Sequence, residues 1–452
     1  MRYDAFKLVE AINEIAPNSH TLIVGGAVRD HILVEECNDI DIATNADLAL
    51  IEKHFPTHDI GKSKDFGVVV VLFEGTSYEV ANFRTDGEYS DGRHPNAVKI
   101  ASTFEEDTKR RDFTINALGL DVNGNVFDYH NGVADIKNGI LRAVGNPLER
   151  YEEDALRIIR LFRFSAKLGF EIESKTLDDA IVAIEEGFLS RISPERIRGE
   201  FFKIAKRGED LADFIEILEF TGALEVILPE VQALRGKKQS VEHHPEGDAY
   251  EHTIACLRVS RSDNPVTNLS ILFHDLGKAV TYVFDDGRHT YFGHEKAGIP
   301  IVEEIVKRLK FSNAEKDAFV FVTGKHMIGH KIHELSKKNV VHLVNDVNWE
   351  VLKDAIYADE VCRGITTRGV EQFNEKINNA ERLVAKLNGE TNLKNRLCQF
   401  VTGHKILSLR PNLKGKPLIG KVKAKVEEAV IDSNFTLTEE QIKEIILDET
   451  AF

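Results

Sequence analysis

Asp39 and Asp41 are carboxylates one isoleucine apart, near the end of the stretch "LIVGGAVRDHILVEECNDIDIATNA" (Leu22–Ala46). In a β-strand, residues two apart share a face, so the two acids project together while Ile40 and Ile42 pack behind them. Side by side they repel, and each raises the pKa of the other unless a cation intervenes. A divalent ion such as Mg²⁺, carried with a nucleoside triphosphate, is the natural counter-charge, and paired carboxylates holding it are what phosphoryl transfer requires. Upstream, Gly25-Gly26 offers backbone that can approach phosphates with no Cβ in the way. Arg29 is a bidentate phosphate donor, which Asp30 could hold in place. Two glycines, or one Asp-x-Asp, would mean no more than a strand, a turn and an acidic loop. The combination points to chemistry.

A second set lies downstream. "HTIACL…ILFHDLGKAV" supplies His252 and then His274-Asp275, and "YADEVCRG" adds Asp359. Imidazoles and carboxylates together suit a borderline transition metal. A lone histidine is usually structural, but an adjacent His-Asp in an apolar helix is costly to bury without a partner.

These groups need elements to position them. Over residues 1–145, "HTLIVGG" and "DIDIAT" read as strands. "FGVVVVLFEGTSYEVANF" reads as a hairpin around Glu74–Ser77, and "FTINALGLDVNGNVFDY" as a second one turning at Asn123-Gly124. That is an α+β domain on a mixed or antiparallel sheet. From Asn146 the pattern turns helical. "EEDALRIIRLFRFSAKL" is one helix and "SPERIRGEFFKIAKR" another, with Ser193 as N-cap and Pro194 in its first turn. A loop-like "LRGKKQSVEHHPEGD" precedes a further helical block from near Ala249.

The 452 residues, 42% hydrophobic and 29% charged, suffice for two to four globular domains. No apolar run approaches the roughly 20 residues a membrane span needs. The opening "MRYDAFKLVEAINEIA" is an amphipathic helix pattern rather than a signal peptide. Cys37, Cys256, Cys362 and Cys398 form no metal-type pair in sequence, which fits a reducing, cytoplasmic setting. A net charge of −16 argues against a nucleic-acid partner until its distribution is considered. Val401–Val426 contains no Asp or Glu, yet holds Lys405, Arg410, Lys414, Lys416, Lys421, Lys423 and Lys425.

"GGAVRD…DID" resembles the signature of class II nucleotidyltransferases, the tRNA CCA-adding enzymes and poly(A) polymerases of the polymerase-β superfamily. "KRRDFTINAL" (Lys109–Leu118) is similar to the family's second motif, and "FDYHNGVADIKNGILRAVG" (Phe127–Gly145) to its head-to-neck segment. "EEDALRIIRLFRF" (Glu152–Phe164) resembles its nucleotide-selecting helix, and "RISPERIRGEFFKI" (Arg191–Ile204) its neck motif. Val34 departs from the family, which usually has glycine there. "HDLGK" resembles the core of the HD phosphohydrolases, with His294 and His326 matching positions that can hold a second metal.

The resemblance implies a polymerase-β-like head (1–145), an all-helical neck (146–238), an HD domain (239–365) and a helical tRNA-binding tail (366–452). It implies template-independent addition of C and A to the 3′ end of tRNA from CTP and ATP. Asp39 and Asp41 would hold Mg²⁺. Gly26, Arg29, Arg111, Arg160 and Arg163 would meet the triphosphate or the base. His252, His274, Asp275 and Asp359 would hold Ni²⁺, Mn²⁺ or a similar ion. Lys414, Lys416 and Lys421 would grip the tRNA. Poly(A) synthesis, or hydrolysis of cyclic or terminal phosphates at the HD site, are the alternatives, and the oligomeric state is open.

Along "EEDALRIIRLFRFSA", Ala155, Ile158, Ile159, Phe162 and Ala166 form one helical stripe, leaving Asp154, Arg157, Arg160 and Arg163 on the other arc. An aspartate accepts from the exocyclic amino group that cytosine and adenine share, and an arginine donates to the ring nitrogen beside it. Guanine and uracil present the opposite pattern. The resemblance gives this selecting role to Asp154 and Arg157. "NFRTDGEYSDGRHPNAV" (Asn82–Val98) is a polar, glycine-bearing loop similar to the family's flexible loop, which favours addition of the terminal A.

Overall fold

A computed structural model describes residues 3–37, 39–58, 67–86, 98–240, 244–364, 367–388, 393–415 and 417–448. Residues 87–97 of the polar loop, including His94, and Lys416 of the basic run lie outside the described residues.

The chain forms two compact units. One comprises Met1–Ile204, Asp210–Gln232 and Arg308–Lys310; the other comprises Ala205–Glu209, Ala233–Lys307 and Phe311–Phe452.

The first unit is built on a mixed sheet. Its strands are β1 (Thr21–Val24), β2 (Asp41–Thr44), β3 (Thr57–His58), β4 (Val68–Phe73) and β5 (Thr76–Asn82). The chain then makes a separate two-stranded pair, β6 (Arg84–Asp86) with β7 (Val98–Ile100), before β8 (Leu118–Leu120) and β9 (Val126–Asp128) complete the sheet. Spatial order is β3-β4-β5-β2-β1-β8-β9. β1 lies inside the sheet and is apolar and buried throughout, as an interior strand must be. It pairs antiparallel to β2, with Val24 opposite Asp41. β2 pairs parallel to β5, and the remaining sheet neighbours are antiparallel. The β4–β5 turn is Glu74-Gly75, both at positive φ, which matches the right-handed twist of a hairpin. The opening amphipathic segment forms the helix Tyr3–Ile15, burying Ala5, Leu8, Val9 and Ile12.

Val34, where the resemblance leads one to expect glycine, has φ 60 and is 91% exposed. The backbone keeps the left-handed turn although a β-branched side chain disfavours it.

Helices dominate after residue 145. The expected single helix over 152–168 is in fact two, Pro147–Glu153 and Leu156–Leu168, because Asp154 adopts an extended conformation between them. The stripe Ala155, Ile158, Ile159, Phe162 and Ala166 is buried as expected. Arg157 and Arg163 are buried too, so the opposite arc is no solvated face. In the second unit a short hairpin, Val283–Asp285 with Arg288–Thr290, interrupts the helices where none was expected. Among the described residues no helix is long and apolar enough to cross a membrane.

Candidate active site and metal centre

Gly25 follows β1 with φ 73, a conformation other residues adopt at a cost. The chain then turns into the helix Gly26–Ile32, which carries Arg29. A Cβ on Gly25 would lie 3.3 Å from Nη1 of Arg111, so the bare glycine lets that guanidinium approach the turn. Asp39 precedes β2 and Asp41 opens it. Both are exposed, while Ile40 and Ile42 are buried, the alternation that puts the two acids on one side. The parallel register sets Glu79 of β5 opposite Asp41, also exposed. Crowding of its carboxyl by protein, then the charges of Asp39 and Glu79, push Asp41 up to about 6, against the pull of Arg111. Three neighbouring oxygen-donor carboxylates, one of them pushed up by the charges of the other two, fit a hard divalent cation.

Each arginine beside this edge has its own carboxylate. Arg29, 4% exposed, donates from Nε and Nη2 to Asp30 Oδ1 (2.8 and 2.5 Å) and from Nη1 to Asn116 Oδ1 (2.7 Å). Arg111 donates to Asp107 Oδ2 (3.1 and 2.9 Å). Burial alone would raise the Asp107 carboxyl, but Arg111 and Arg110 hold it below its ordinary range. Arg160 donates to Asp112 Oδ2 at 2.9 and 2.5 Å, and Asn116 donates to Asp112 Oδ1 at 3.2 Å. Burial opposes charge there too, yet Arg160 holds Asp112 down at about 2. Arg163 pairs with buried Glu200 at 2.5 Å. Arg29, Arg160 and Arg163 all lie over the ring of Phe164, at 5.1, 5.4 and 4.1 Å from its centroid. Cations held at set positions by fixed anions and one aromatic face are preorganised for a polyanion.

Asp154 makes a two-pronged ion pair with Arg196, at 2.9 and 2.7 Å, and its Oδ1 accepts from the Leu156 amide. Arg157 donates to Glu153 Oε2 (2.5 Å) and to the carbonyls of Arg150 and Arg110. The two expected base-reading residues therefore sit at one helix junction, each held by a different partner.

In the second unit, His252 lies on the helix Ala249–Val259 and Asp359 on Trp349–Val361. His274-Asp275 follows the apolar helix Pro265–Phe273 instead of lying within it. His294 opens one helix and His326 follows another. All six residues are buried. Nδ1 of His274, His294 and His326 meets the carbonyls of Ile271, Tyr291 and Thr323 at 2.7, 2.9 and 2.9 Å. A carbonyl can only accept, so Nδ1 carries the proton, which leaves Nε2 as the nitrogen that can ligate a metal. His252 Nδ1 is held the same way by Glu246 at 2.5 Å. The Nε2 atoms converge on carboxylates: His252 reaches Asp359 at 3.1 Å, and His274 and His294 each reach Asp275 at 3.2 Å. Nε2 of His274 and Oδ1 of Asp275 are buried, and among the described residues neither makes a hydrogen bond of good geometry despite these approaches. Imidazole Nε2 atoms gathered against carboxylates in a buried cluster suit a cation, and histidines oriented by their other nitrogen are how proteins hold a transition metal. Lys278 partly neutralises Asp275, at 2.5 Å.

Residues 21–142 match the family model of the poly A polymerase head domain, and residues 169–234 match the model described as "Probable RNA and SrmB- binding site of polymerase A". The CCA-adding enzyme of Lactobacillus johnsonii is 40% identical over 243 residues, 54% of this chain and 58% of that protein. That of Enterococcus faecalis is 45% identical over 217 residues, 47% of this chain and 52% of that protein. The matched region spans little more than half the length of these relatives. The Bacillus stearothermophilus CCA-adding enzyme in complex with CTP shares the fold over 100% of this chain and 98% of its own, with TM-score 0.74 and 24% identity. The Thermotoga maritima enzyme complexed with tRNA shares it over 99% and 96%, with TM-score 0.59 and 18% identity.

The first unit thus gathers Asp39, Asp41, Gly26, Arg29 and Arg111 around the β1–β2 edge. Sequence reasoning missed Glu79, whose role depends on a parallel pairing between strands distant in sequence. It missed Arg196 and Glu200 as well. Their four-residue spacing puts them on one face of the helix Pro194–Ile204. That spacing was a usable signal, but not which residues they would meet. In the basic run, Lys405, Lys423 and Lys425 pair with Glu439, Glu427 and Asp448, so acids from outside the run offset part of it. Lys414 and Lys421 are exposed, with no ion pair among the described residues.

Proposed function

We propose that this chain adds C and A nucleotides to the 3′ end of tRNA from CTP and ATP, releasing pyrophosphate. The observation that carries the reading is the triple carboxylate edge Asp39, Asp41 and Glu79, beside the Gly25 turn of a poly A polymerase head. The relatives matched bear the name CCA-adding enzyme, and structures sharing the fold were solved with CTP and with tRNA.

In the reaction, the 3′-hydroxyl oxygen of the tRNA bonds to the α-phosphorus, the bond from that phosphorus to the bridging oxygen breaks, and pyrophosphate departs. Asp39, Asp41 and Glu79 would bind Mg²⁺, which supplies activation of the hydroxyl and charge neutralisation on the triphosphate. Arg111 and the Gly25-Gly26 backbone approach the phosphates, and Arg29 and Asn116 brace that wall. Asp154, steadied by Arg196, accepts from the amino group of C or A, and Arg157, steadied by Glu153, donates to the neighbouring ring nitrogen. Incubating the protein with tRNA lacking its 3′ end and each labelled triphosphate in turn tests this. CMP and AMP should be incorporated and UMP and GMP should not. Asp39→Ala and Asp41→Ala should each abolish transfer, and long poly(A) products from ATP alone would favour the polymerase alternative.

The converging His252, His274, His294, His326, Asp275 and Asp359 favour a second activity in the other unit, metal-dependent hydrolysis of phosphate esters. We infer that Ni²⁺ or Mn²⁺ serves there. The His274→Ala/Asp275→Ala double variant should lose hydrolysis of 2′,3′-cyclic nucleotides and keep nucleotide addition. Hydrolysis surviving in that variant rules the centre out.

A further inference from the structure

Cys256 and Cys362 lie with their sulfurs 3.1 Å apart, closer than unbonded sulfurs ordinarily rest. Cys256 is fully buried, one helical turn after His252 on Ala249–Val259. Cys362 is half-buried, just beyond the helix that carries Asp359. The His252 ring contacts both sulfurs: Cys256 Sγ is 3.6 Å from Nε2, and Cys362 Sγ is 3.5 Å from Nδ1. Cys256 Sγ also falls within 4.8 Å of ligand atoms of His252, His274 and Asp359. The two cysteines are therefore set against the metal cluster from two of its helices. Cys37 instead donates to the carbonyl of Asp39, and Cys398 is exposed.

We propose that Cys256 and Cys362 are a reversible disulfide site, oxidised by exchange with a low-molecular-weight disulfide such as oxidised glutathione. A disulfide needs sulfurs about 2.05 Å apart, so closure takes about 1 Å of sulfur movement. The half-buried Cys362 thiolate attacks one sulfur of the small disulfide. That S–S bond breaks, one small thiolate leaves, and Cys362 becomes a mixed disulfide. The Cys256 thiolate then attacks the Cys362 sulfur and expels the second small thiolate. The protein pair is oxidised by two electrons, the small disulfide is reduced to two thiols, and these take up the two cysteine protons. The bond staples the His252 helix to the Asp359 helix and removes the Cys256 sulfur as a donor beside the cluster. This last consequence rests on the metal-centre reading, whereas the cross-link itself does not.

The test treats metal-free, full-length protein with oxidised glutathione in mildly alkaline buffer and maps its peptides by mass. Wild type should yield a linked Cys256–Cys362 peptide lighter by two hydrogens, restored to free thiols by dithiothreitol. C256S should stop with glutathione on residue 362, and C362S should leave Cys256 unmodified. Both thiols remaining free while Cys398 is modified, or a stable glutathione adduct on wild-type Cys362, overturns the proposal. Titrating Ni²⁺ into reduced and cross-linked protein, followed by calorimetry, should show affinity falling by roughly tenfold on oxidation, the scale expected for a change beside metal ligands. Equal affinity in the two forms overturns the link to the metal cluster. Absence of binding in the reduced form instead counts against the metal-centre reading.

Discussion

Asp41 stands directly opposite Glu79 across the parallel β2–β5 pair. Opposed residues on one sheet face have Cβ atoms about 5 Å apart, close enough for two carboxylates to share one cation. Glu79 contributes to the displacement of the Asp41 titration, so the two carboxyls interact electrostatically in the absence of any ion.

Glu79 should therefore matter to nucleotide addition although no motif marks it. Glu79→Gln keeps the shape and removes the charge. Its CMP incorporation should fall by about tenfold to a hundredfold, a few kcal/mol of transition-state stabilisation at most, and the loss should ease partly at high Mg²⁺. Steady-state incorporation across a Mg²⁺ series measures this. A rate unchanged at low Mg²⁺ would leave Asp39 and Asp41 as the whole site.

Base choice should depend on the Asp154–Arg196 pair. Asp154→Ala should relax discrimination against UTP and GTP. Arg196→Ala should do so in part, because the carboxylate loses the fork that aims it. If Arg196 acts through Asp154, the double variant should be no worse than Asp154→Ala alone, giving a coupling on the order of 1 kcal/mol. Ratios of kcat/KM for CTP against UTP in the four proteins give the coupling directly. Additive effects would assign Arg196 a separate role.

Much of the head was legible because its chemistry is local. The Gly25-Gly26 turn, the Asp39/Asp41 alternation and the Asn123-Gly124 hairpin each arise within a few residues, and the structure has all three. What did not show is set by partners far along the chain. "EEDALRIIRLFRF" reads as an unbroken amphipathic helix with a charged arc. In the fold Arg163 is buried and Asp154 half-buried because Glu200 and Arg196 approach from another helix, and Asp154 leaves helical geometry to meet Arg196. Helical periodicity reports which residues share a face, not what that face meets. The histidine cluster was half legible. The adjacent His274-Asp275 pair stood out, whereas the carbonyls that fix the Nδ1 protons of His274, His294 and His326, and the carboxylate that holds His252, show only in the structure.

The Asp112–Arg160 pair predicts an acid-sensitive contribution to stability. Asp112 titrates at about 2 in the fold against 3.8 ordinarily. A depressed carboxyl stabilises fully above its unfolded pKa and loses that stabilisation as pH falls towards the folded value. The full contribution is about 2 kcal/mol, and about 1 kcal/mol of it should be gone at about pH 3. The difference in unfolding free energy between wild type and Asp112→Asn, from urea titrations, should narrow by that amount between about pH 6 and pH 3. A difference independent of pH would mean that Asp112 is not held ionised by Arg160.

The basic run carries the last prediction, and the structure sharpens it. A chain with net charge −16 that binds a polyanion must present free cations where the RNA lies. Seven basic residues fall in the run, but Lys405, Lys423 and Lys425 already face carboxylates, so an RNA phosphate would have to displace an acid to reach them. Lys414 and Lys421 are exposed, with no ion pair among the described residues, and can release condensed counterions from RNA without that cost. Each phosphate contact contributes roughly 0.7 to 0.9 to the log–log salt slope of binding. Reversing Lys414 and Lys421 to Glu, with Lys416, should weaken tRNA binding and flatten that slope by about two to three, one step per lost contact. Reversing Lys405 and Lys425 should change the slope less, because those charges are already partly neutralised. Apparent affinity for free CTP should stay constant in both variants, since the proposed nucleotide site lies in the first unit. Filter binding of full-length tRNA over a salt series separates the cases. Equal slopes in wild type and the Lys414/Lys416/Lys421 variant would mean the run is solvated surface and the RNA follows another track.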